Sequence, residues 1–223
     1  MSRGGTRIRA EKKPVVVLAG EDSNDRKVMR KLLEEFCPEM RGRIVEINQT
    51  VRLKAASDTR LPERIQVLAR RARARATRED ADLACVFVHE DFDEPFSTEY
   101  DQTKAKVEAA LRRELPHAHY VLATAETEAW LLLFPKALQA QGWKVPKTRL
   151  GKDTGRLGDP KRVLREEVST AQRCYREADA PAIIDKAVES GEIRQPSGVN
   201  RSWEDFRTGI QECCSQHLPR QRR

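Results

Sequence analysis

The sequence lacks the features that mark several large classes of protein. No apolar run approaches the roughly 20 residues that a membrane-spanning helix needs. The first residues are basic, and the apolar segment that follows them is too short for the core of a secretory signal peptide. We therefore expect a cytoplasmic protein that does not associate with membranes. Aromatic residues make up only 5% of the 223 residues, which argues against a large surface for stacking bases.

The five cysteines do not form a recognisable metal-binding or redox motif. Cys37, Cys85 and Cys174 are scattered, whereas Cys213 and Cys214 are adjacent. No Cys-x-x-Cys occurs, and the histidines are not spaced with the cysteines as a zinc site requires. Adjacent cysteines rarely bond to each other because the geometry is strained. We therefore expect reduced thiols that serve as small apolar side chains.

Charge is the most prominent feature of the composition. Charged residues form 35% of the chain, well above the usual quarter, and the net charge is +7. Apolar residues recur on one stripe of a predicted helix over residues 61–78, and arginines cover its other faces. A basic helix of this kind is typical of proteins that bind a polyanion, with a merely solvated helix face as the alternative. The candidate nucleic-acid-binding residues are Arg64, Arg70, Arg71, Arg73, Arg75 and Arg78.

Short apolar runs that alternate with amphipathic segments predict an α/β fold. We expect strands near residues 15–20, 43–48, 83–88 and 120–123, and helices near 24–36, 61–78, 98–115, 126–134, 160–170, 180–190 and 202–216. Strand–helix–strand alternation at this spacing predicts a parallel sheet. The predicted divisions are a disordered basic arm (1–13), an α/β domain (14–135), a loop with a helical extension (136–216) and a basic tail (217–223).

Acidic residues directly follow three of the predicted strands. They are Glu21, Asp22 and Asp25 after the first, Glu90, Asp91, Asp93 and Glu94 after the next, and Glu126 and Glu128 after the last. Parallel strands place their carboxyl ends along one edge of the sheet, so these clusters should converge there. Their repulsion would favour a divalent cation, and oxygen ligands favour Mg²⁺ or Mn²⁺. Taken singly, each cluster could instead cap the N-terminus of a helix. We expect Asn24 or Asp25 to cap a helix in this way. We expect Glu90 and Glu94 to be solvated.

The arrangement of these carboxylates resembles that of a known family. Glu21 and Asp25 after one strand, and Asp91-Phe92-Asp93 after another, resemble the Glu and Asp-x-Asp signature of TOPRIM domains in topoisomerases, primases and overcoming-lysogenization-defect (OLD) nucleases. Among proteins with this signature, the chain resembles small stand-alone TOPRIM-like bacterial proteins encoded beside AAA or ABC-type ATPases. His89 to Asp93, Glu128 to Leu132 and Asp159 to Lys161 also fit that family. Asp22 departs from it, because a glycine usually follows the glutamate.

The resemblance covers Pro14 to Ile210 and implies a fold, an activity and a set of site residues. The fold would be a parallel-sheet, TOPRIM-like (Rossmannoid) core with a C-terminal helical extension. The activity would be Mg²⁺- or Mn²⁺-dependent cleavage of phosphodiester bonds in DNA or RNA, as an anti-phage effector with an AAA or ABC-type ATPase as partner. The implied metal ligands are Glu21, Asp25, Asp91 and Asp93, and the implied catalytic residues are Glu21, Asp91, Asp93, Glu128 and Lys161, with Lys136 and Lys152 as alternatives to the lysine.

Two other classes of function remain open. One is a non-catalytic module that binds nucleic acid or an ATPase, and the other is a metal-dependent phosphoryl or nucleotidyl transferase. The stretch from Gly151 to Gly158 lacks the Gly-Lys-Ser/Thr of a phosphate-binding loop, and Gly20-Glu21-Asp22 does not match a dinucleotide-binding fingerprint. The sequence leaves the oligomeric state open.

Overall fold

A four-stranded parallel sheet forms the centre of the protein. The computed structural model describes residues 12–218, so most of the predicted basic arm and basic tail lies outside the described residues. The strands are β1 (Pro14–Ala19), β2 (Ile44–Ile47), β3 (Asp82–Asp91) and β4 (Ala118–Ala123). Their order is β2-β1-β3-β4, and every neighbouring pair is parallel, which confirms the predicted α/β class and is consistent with a Rossmann-like core. Within residues 12–218, no helix combines the length and apolarity needed to cross a membrane.

Helices cover both faces of the sheet. The longer ones are α1 (Ser23–Phe36), α2 (Leu61–Arg78) and α3 (Thr98–Glu114), with α7 (Ala180–Glu189) and α8 (Arg201–His217) in the C-terminal part. Val16 and Leu18 pack with α1, α7 and α8, whereas Val17 packs with α2 and α3. Burial on both faces explains why β1 is a continuous apolar run rather than an alternating one.

The strand β3 is longer than the sequence predicted. It continues to Asp91, and its pairing with β4 ends with Asp91 opposite Ala123. His89, Glu90 and Asp91 are therefore part of the strand rather than of the loop after it. Because successive side chains on a strand point to opposite faces, His89 and Asp91 share one face and Glu90 lies on the other.

The cap of the first helix differs from the one predicted. Asp22, rather than Asn24 or Asp25, caps α1 by accepting hydrogen bonds from the backbone N–H groups of Asn24 (2.6 Å) and Asp25 (2.9 Å). This leaves the Asp25 side chain available for other contacts. At α8, Asn200 is the cap and accepts from the backbone N–H of Trp203.

The C-terminal part of the chain shares a hydrophobic core with the sheet. Its short helices are α4 (Glu128–Leu131), α5 (Pro135–Ala140) and α6 (Pro160–Arg162), and α6 continues into a π-helical segment (Val163–Val168). Trp130 stacks on Phe206 of α8 with ring centroids 5.4 Å apart, and it meets Trp203 edge-on at 5.6 Å. Ser202 Oγ accepts from Trp130 Nε1 (2.9 Å) and from the backbone N–H of Thr124 (3.0 Å), so α8 is fixed to the ends of β4 and α4.

The cysteines contradict the prediction of reduced thiols. Disulfides join Cys37 to Cys214 and Cys85 to Cys213, and Cys174 is free and exposed. Adjacent residues on a helix point about 100° apart, so the two cysteines of α8 reach different partners, one after α1 and one on β3. The bonded residues are 177 and 128 positions apart, which is why no local spacing signalled the pairing.

Candidate functional site

Acidic side chains from three elements meet at the carboxyl edge of the sheet. Asp25 from α1, Asp91 from β3 and Glu128 from α4 line a cavity of about 20 Å³, together with Thr127 and Lys161. A cavity of this size holds about one water molecule or one small ion. The convergence of three predicted clusters at this edge follows from the parallel strands.

A buried histidine lies between two of these carboxylates. His89 Nδ1 is 3.8 Å from Asp25 Oδ2, and His89 Nε2 is 3.6 Å from Asp91 Oδ1. Burial lowers the pKa of His89 despite the nearby acids, which favours the neutral ring. Thr127 Oγ1 donates to Asp91 Oδ1 (3.1 Å) and lies 3.0 Å from His89 Nε2, so Nε2–H donates to the threonine. Nδ1 then carries a lone pair, is buried and has no hydrogen-bond partner.

The carboxylates of the cavity are not fully compensated by the groups around them. Asp91 Oδ1 accepts from the backbone N–H of Thr127 at 2.9 Å. Burial, followed by the charges of Asp25 and Glu128, nevertheless raises the pKa of Asp91 well above its usual value. Burial and the charge of Asp22 likewise raise the pKa of Asp25. A positive charge in the cavity would relieve the repulsion between these carboxylates.

Lysine and tyrosine complete the other side of the cavity. Tyr175 donates its hydroxyl to Glu128 Oε1 (3.2 Å), and burial raises the pKa of Glu128 to about 7 although Lys161 opposes the shift. Lys161 Nζ pairs with Glu126 (3.0 Å) and Glu177 (3.6 Å). Burial lowers the pKa of Lys161, but the surrounding glutamates outweigh it and raise that pKa, so the lysine stays charged.

Two predicted site residues lie outside the cavity. Asp93 is exposed, has a backbone φ of +69°, and forms an ion pair with Lys54, whose ammonium also donates to the backbone oxygen of Asp91. Glu21 is half-buried and acts electrostatically on His89 without lining the cavity. Within the described part of the chain, no three acidic side chains bring oxygen atoms within 4.8 Å of one another. A cation held by three carboxylates would therefore require them to move closer together.

Glu90 was expected to be solvated, and this expectation is wrong. Its side chain is fully buried on the face of β3 opposite Asp91. It accepts hydrogen bonds from the backbone N–H groups of Leu53 (2.9 Å) and Lys54 (3.2 Å) and from the hydroxyl of Tyr120 (2.9 Å). Glu90 thus holds in place the segment that contains Lys54, the partner of Asp93 in an ion pair. The acidic sequence around Glu90 did not reveal this role.

A basic groove adjoins that same segment. Arg52, Arg60, Arg64 and Arg71 line an open cavity of about 830 Å³ between α2 and the segment before it. Arg52 and Arg60 were not among the predicted nucleic-acid-binding residues. Their position in a basic loop between β2 and α2 was the sequence feature that could have indicated them. The segment of residues 51–54 therefore connects the groove to the edge where Asp91 and Asp93 lie.

The other predicted arginines of α2 are divided among different surfaces. Arg75 and Arg78, with Arg71, line a smaller cavity of about 200 Å³ beside β2. Arg73 donates to the backbone oxygen of Glu114 at the end of α3 (2.7 Å). Arg70 is exposed and lines neither cavity. Only some of the predicted set is therefore placed to bind one continuous polyanion.

If the groove binds nucleic acid, replacing its arginines should weaken the salt dependence of that binding. We expect the Arg60→Gln/Arg71→Gln double variant to reduce the slope of log affinity against log salt by about 1.8 on duplex DNA, because each lost phosphate contact removes about 0.9. Fluorescence anisotropy over a salt series measures the slope. The Arg112→Gln/Arg113→Gln variant on α3 has the same change in charge and should leave the slope unchanged. Equal slopes for both variants would contradict the placement of the nucleic acid in the groove.

The residues through which the sequence resembles TOPRIM domains are thus only partly gathered at one point. Asp25, Asp91, Glu128 and Lys161 share the cavity, whereas Glu21 and Asp93 lie beside it. Comparison of the chain with protein-family models, curated proteins and solved structures gives no match.

Proposed function

We propose that this protein is a metal-dependent phosphodiesterase that acts on nucleic acid, with a TOPRIM-like core. The observation that carries the proposal is the cavity at the carboxyl edge of the parallel sheet, where Asp25, Asp91 and Glu128 meet a charged lysine. Buried carboxylates with raised pKa values cluster at functional sites more often than at purely structural ones. The arginine groove, which residues 51–54 connect to this edge of the sheet, would supply the positive surface that a phosphate backbone needs.

Each residue of the site has a defined part in this proposal. Mg²⁺ or Mn²⁺ held by Asp25, Asp91 and Glu128 would stabilise the negative charge that develops on the phosphate during cleavage. Lys161, held by Glu126, provides a permanent positive charge beside the reacting phosphate. His89 donates a hydrogen bond to Thr127, and Thr127 donates one to Asp91. These two hydrogen bonds fix the direction in which Asp91 presents its oxygens.

The family resemblance extends the proposal to a biological setting. Stand-alone TOPRIM-like proteins encoded beside AAA or ABC-type ATPases are expected to act in defence against phage, with the ATPase controlling cleavage. Asp93 is exposed and bonded to Lys54, and a partner that displaced Lys54 would free the Asp93 carboxylate. An ATPase or the substrate itself would have access to this ion pair at the surface.

Metal should stabilise the wild-type protein but not a variant of the cavity. We expect Mg²⁺ or Mn²⁺ at about 100 times its dissociation constant to add about 2.7 kcal/mol to the free energy of unfolding, because the ion binds only the native state. The Asp25→Asn/Asp91→Asn double variant should show no such gain, and its metal-free protein should be at least as stable because repulsion is relieved. Thermal unfolding over a metal series measures both. Equal stabilisation of the two proteins would refute this metal site.

Cleavage should depend on Asp91 more than on Asp93. Purified protein, alone and together with any ATPase encoded beside it, is incubated with plasmid, single-stranded DNA and total RNA in each metal. We expect Asp91→Asn to abolish cleavage while nucleic-acid affinity is equal or higher, since a negative charge near the backbone is removed. Asp93→Asn should reduce cleavage less, because Asp93 lies outside the cavity. Glu94→Gln, an exposed change in the same segment, is the control and should leave the rate unchanged.

A non-catalytic nucleic-acid-binding module is the second candidate. A preformed two-metal centre requires carboxylate oxygens that are close together and free to bind the ions. Here the carboxylate oxygens are too far apart, and Asp93 is paired with Lys54, which favours the binding module. The experiment above separates the two functions. Binding without cleavage of any substrate, in either metal and with the ATPase present, would replace the phosphodiesterase with the binding module.

A further inference from the structure

A second cluster of metal-ligating side chains lies away from the acidic cavity, under α8. Cys85 on β3, Cys213 on α8 and His119 on β4 bring two sulfur atoms and a ring nitrogen within 4.8 Å of one another. Both cysteines are fully buried. His119 stacks on Phe87, with ring centroids 4.7 Å apart, so its ring is held in place.

The two nitrogens of His119 have different surroundings. Nδ1 lies 3.9 Å from Glu212 Oε2 on α8. Nε2 is buried and has no hydrogen-bond partner. In a metal-binding histidine, one nitrogen coordinates the metal while the other donates its hydrogen to a carboxylate. Glu212 is the carboxylate near Nδ1 here, although 3.9 Å is longer than a hydrogen bond. An imidazole buried only for packing would leave the cost of desolvating Nε2 unrecovered.

The sulfurs form a disulfide in this structure, and a disulfide cannot act as a pair of thiolate ligands. Two molecules of a thiol reductant convert it into two thiols and are oxidised to a disulfide. A phosphine does the same together with one water molecule: the phosphine gives two electrons and becomes a phosphine oxide, and the water supplies the oxygen and the two protons. A bound Zn²⁺ then displaces both thiol protons. The Cα atoms of Cys85 and Cys213 are 6.3 Å apart, so both side chains emerge close to a common point.

We propose that the reduced protein binds one Zn²⁺ through Cys85, Cys213 and His119, with Glu212 positioning the imidazole. Two thiolates and an imidazole are ligands typical of zinc, and they leave a fourth position for water. The site is independent of the acidic cavity, whose oxygen ligands favour Mg²⁺ or Mn²⁺. Either the disulfide or the zinc would then hold α8 against the sheet, according to whether the thiols are oxidised.

Zinc binding to the reduced full-length chain tests the proposal. The protein is reduced with a phosphine, freed of reductant without oxygen, and titrated with Zn²⁺ against a chromophoric chelator. We expect one high-affinity equivalent for the reduced wild type, and a loss of at least about 100-fold in affinity for Cys85→Ser and for His119→Gln. Glu212→Gln should lose about 10–100-fold, as other such carboxylates do. Co²⁺ in place of Zn²⁺ should give the reduced wild type thiolate charge-transfer bands and the visible bands of a tetrahedral site. These bands report coordination directly, so they separate the loss of a ligand from a change in the fold of a variant.

Matched variants separate this site from the other thiols. Cys174→Ser removes the exposed cysteine, and Cys37→Ser removes one from the group formed with Glu39 and Cys214; both should keep full affinity. Zinc should raise the melting temperature of the reduced wild type but not that of His119→Gln, whose metal-free melting temperature shows whether it is folded. The proposal fails if reduced wild type binds no zinc, if the oxidised protein binds it equally well, or if His119→Gln retains the affinity.

Discussion

Reduction of the two disulfides should lower the melting temperature of the metal-free protein by at least roughly 10–20 °C, the shift expected for the loss of one bond alone. The bonds close loops of 177 and 128 residues. For loops of this length, the chain-entropy account gives about 5 kcal/mol of stabilisation for either bond alone. In a chain of this size, a change of 1 kcal/mol in unfolding free energy shifts the melting temperature by about 2–4 °C. Calorimetry of the protein with and without reductant, in the presence of a chelator, measures the shift.

A count of free thiols provides the control for that measurement. All five cysteines lie within the described residues, and the structure leaves only Cys174 free. The denatured, unreduced protein should therefore react with one equivalent of a thiol reagent, and Cys174→Ser with none. Five equivalents, together with an unchanged melting temperature on reduction, would contradict both disulfides.

Truncation of Glu90 should be the most damaging single change among the acidic residues. Glu90→Ala removes the acceptor for the backbone N–H groups of Leu53 and Lys54 and for the hydroxyl of Tyr120. Buried donors without partners cost about 1–3 kcal/mol each, so we expect a loss on the order of 3–5 kcal/mol in unfolding free energy. Denaturant titration measures the loss.

The same substitution should also weaken the nucleic-acid binding that we propose. Glu90 holds the segment of residues 51–54 in place. This segment lines the basic groove and contains Lys54, which forms an ion pair with Asp93. Glu90→Gln keeps one carbonyl oxygen and should have a smaller effect on stability. The exposed neighbour Glu94 is the control, and Glu94→Ala should change the unfolding free energy by no more than about 0.5 kcal/mol. A comparable effect of the Glu90→Ala and Glu94→Ala changes would mean that Glu90 is solvated after all.

The buried segments were readable from the sequence because burial imposes a strict pattern on residue type. The apolar run of β1 and the arginine-rich helix over residues 61–78 lie where they were predicted. The same reasoning placed Asp25, Asp91 and Glu128 at one edge, because parallel strands all end on the same side. The C-terminal helices near 180–190 and 202–216 were also found close to their predicted positions.

Individual side-chain roles depend on partners far away in the chain. Whether Glu90 is solvated or buried is decided by the N–H groups of residues 53 and 54, which lie 36–37 positions earlier. The exposure of Asp93 depends on the positive φ that turns the chain after β3 and on its contact with Lys54. Contacts between residues so far apart in the chain cannot be predicted from local sequence patterns.

By itself, therefore, the sequence determined the α/β class, the parallel direction of the strands and the edge at which acidic groups collect. Those features follow from hydrophobic periodicity and chain connectivity, which are local. The tertiary structure alone decided that Cys85 pairs with Cys213, that Asp22 rather than Asp25 caps α1, and that His89 lies between two carboxylates. These depend on the packing of α1, α4 and α8 against the sheet, because packing brings together groups that are remote in the chain.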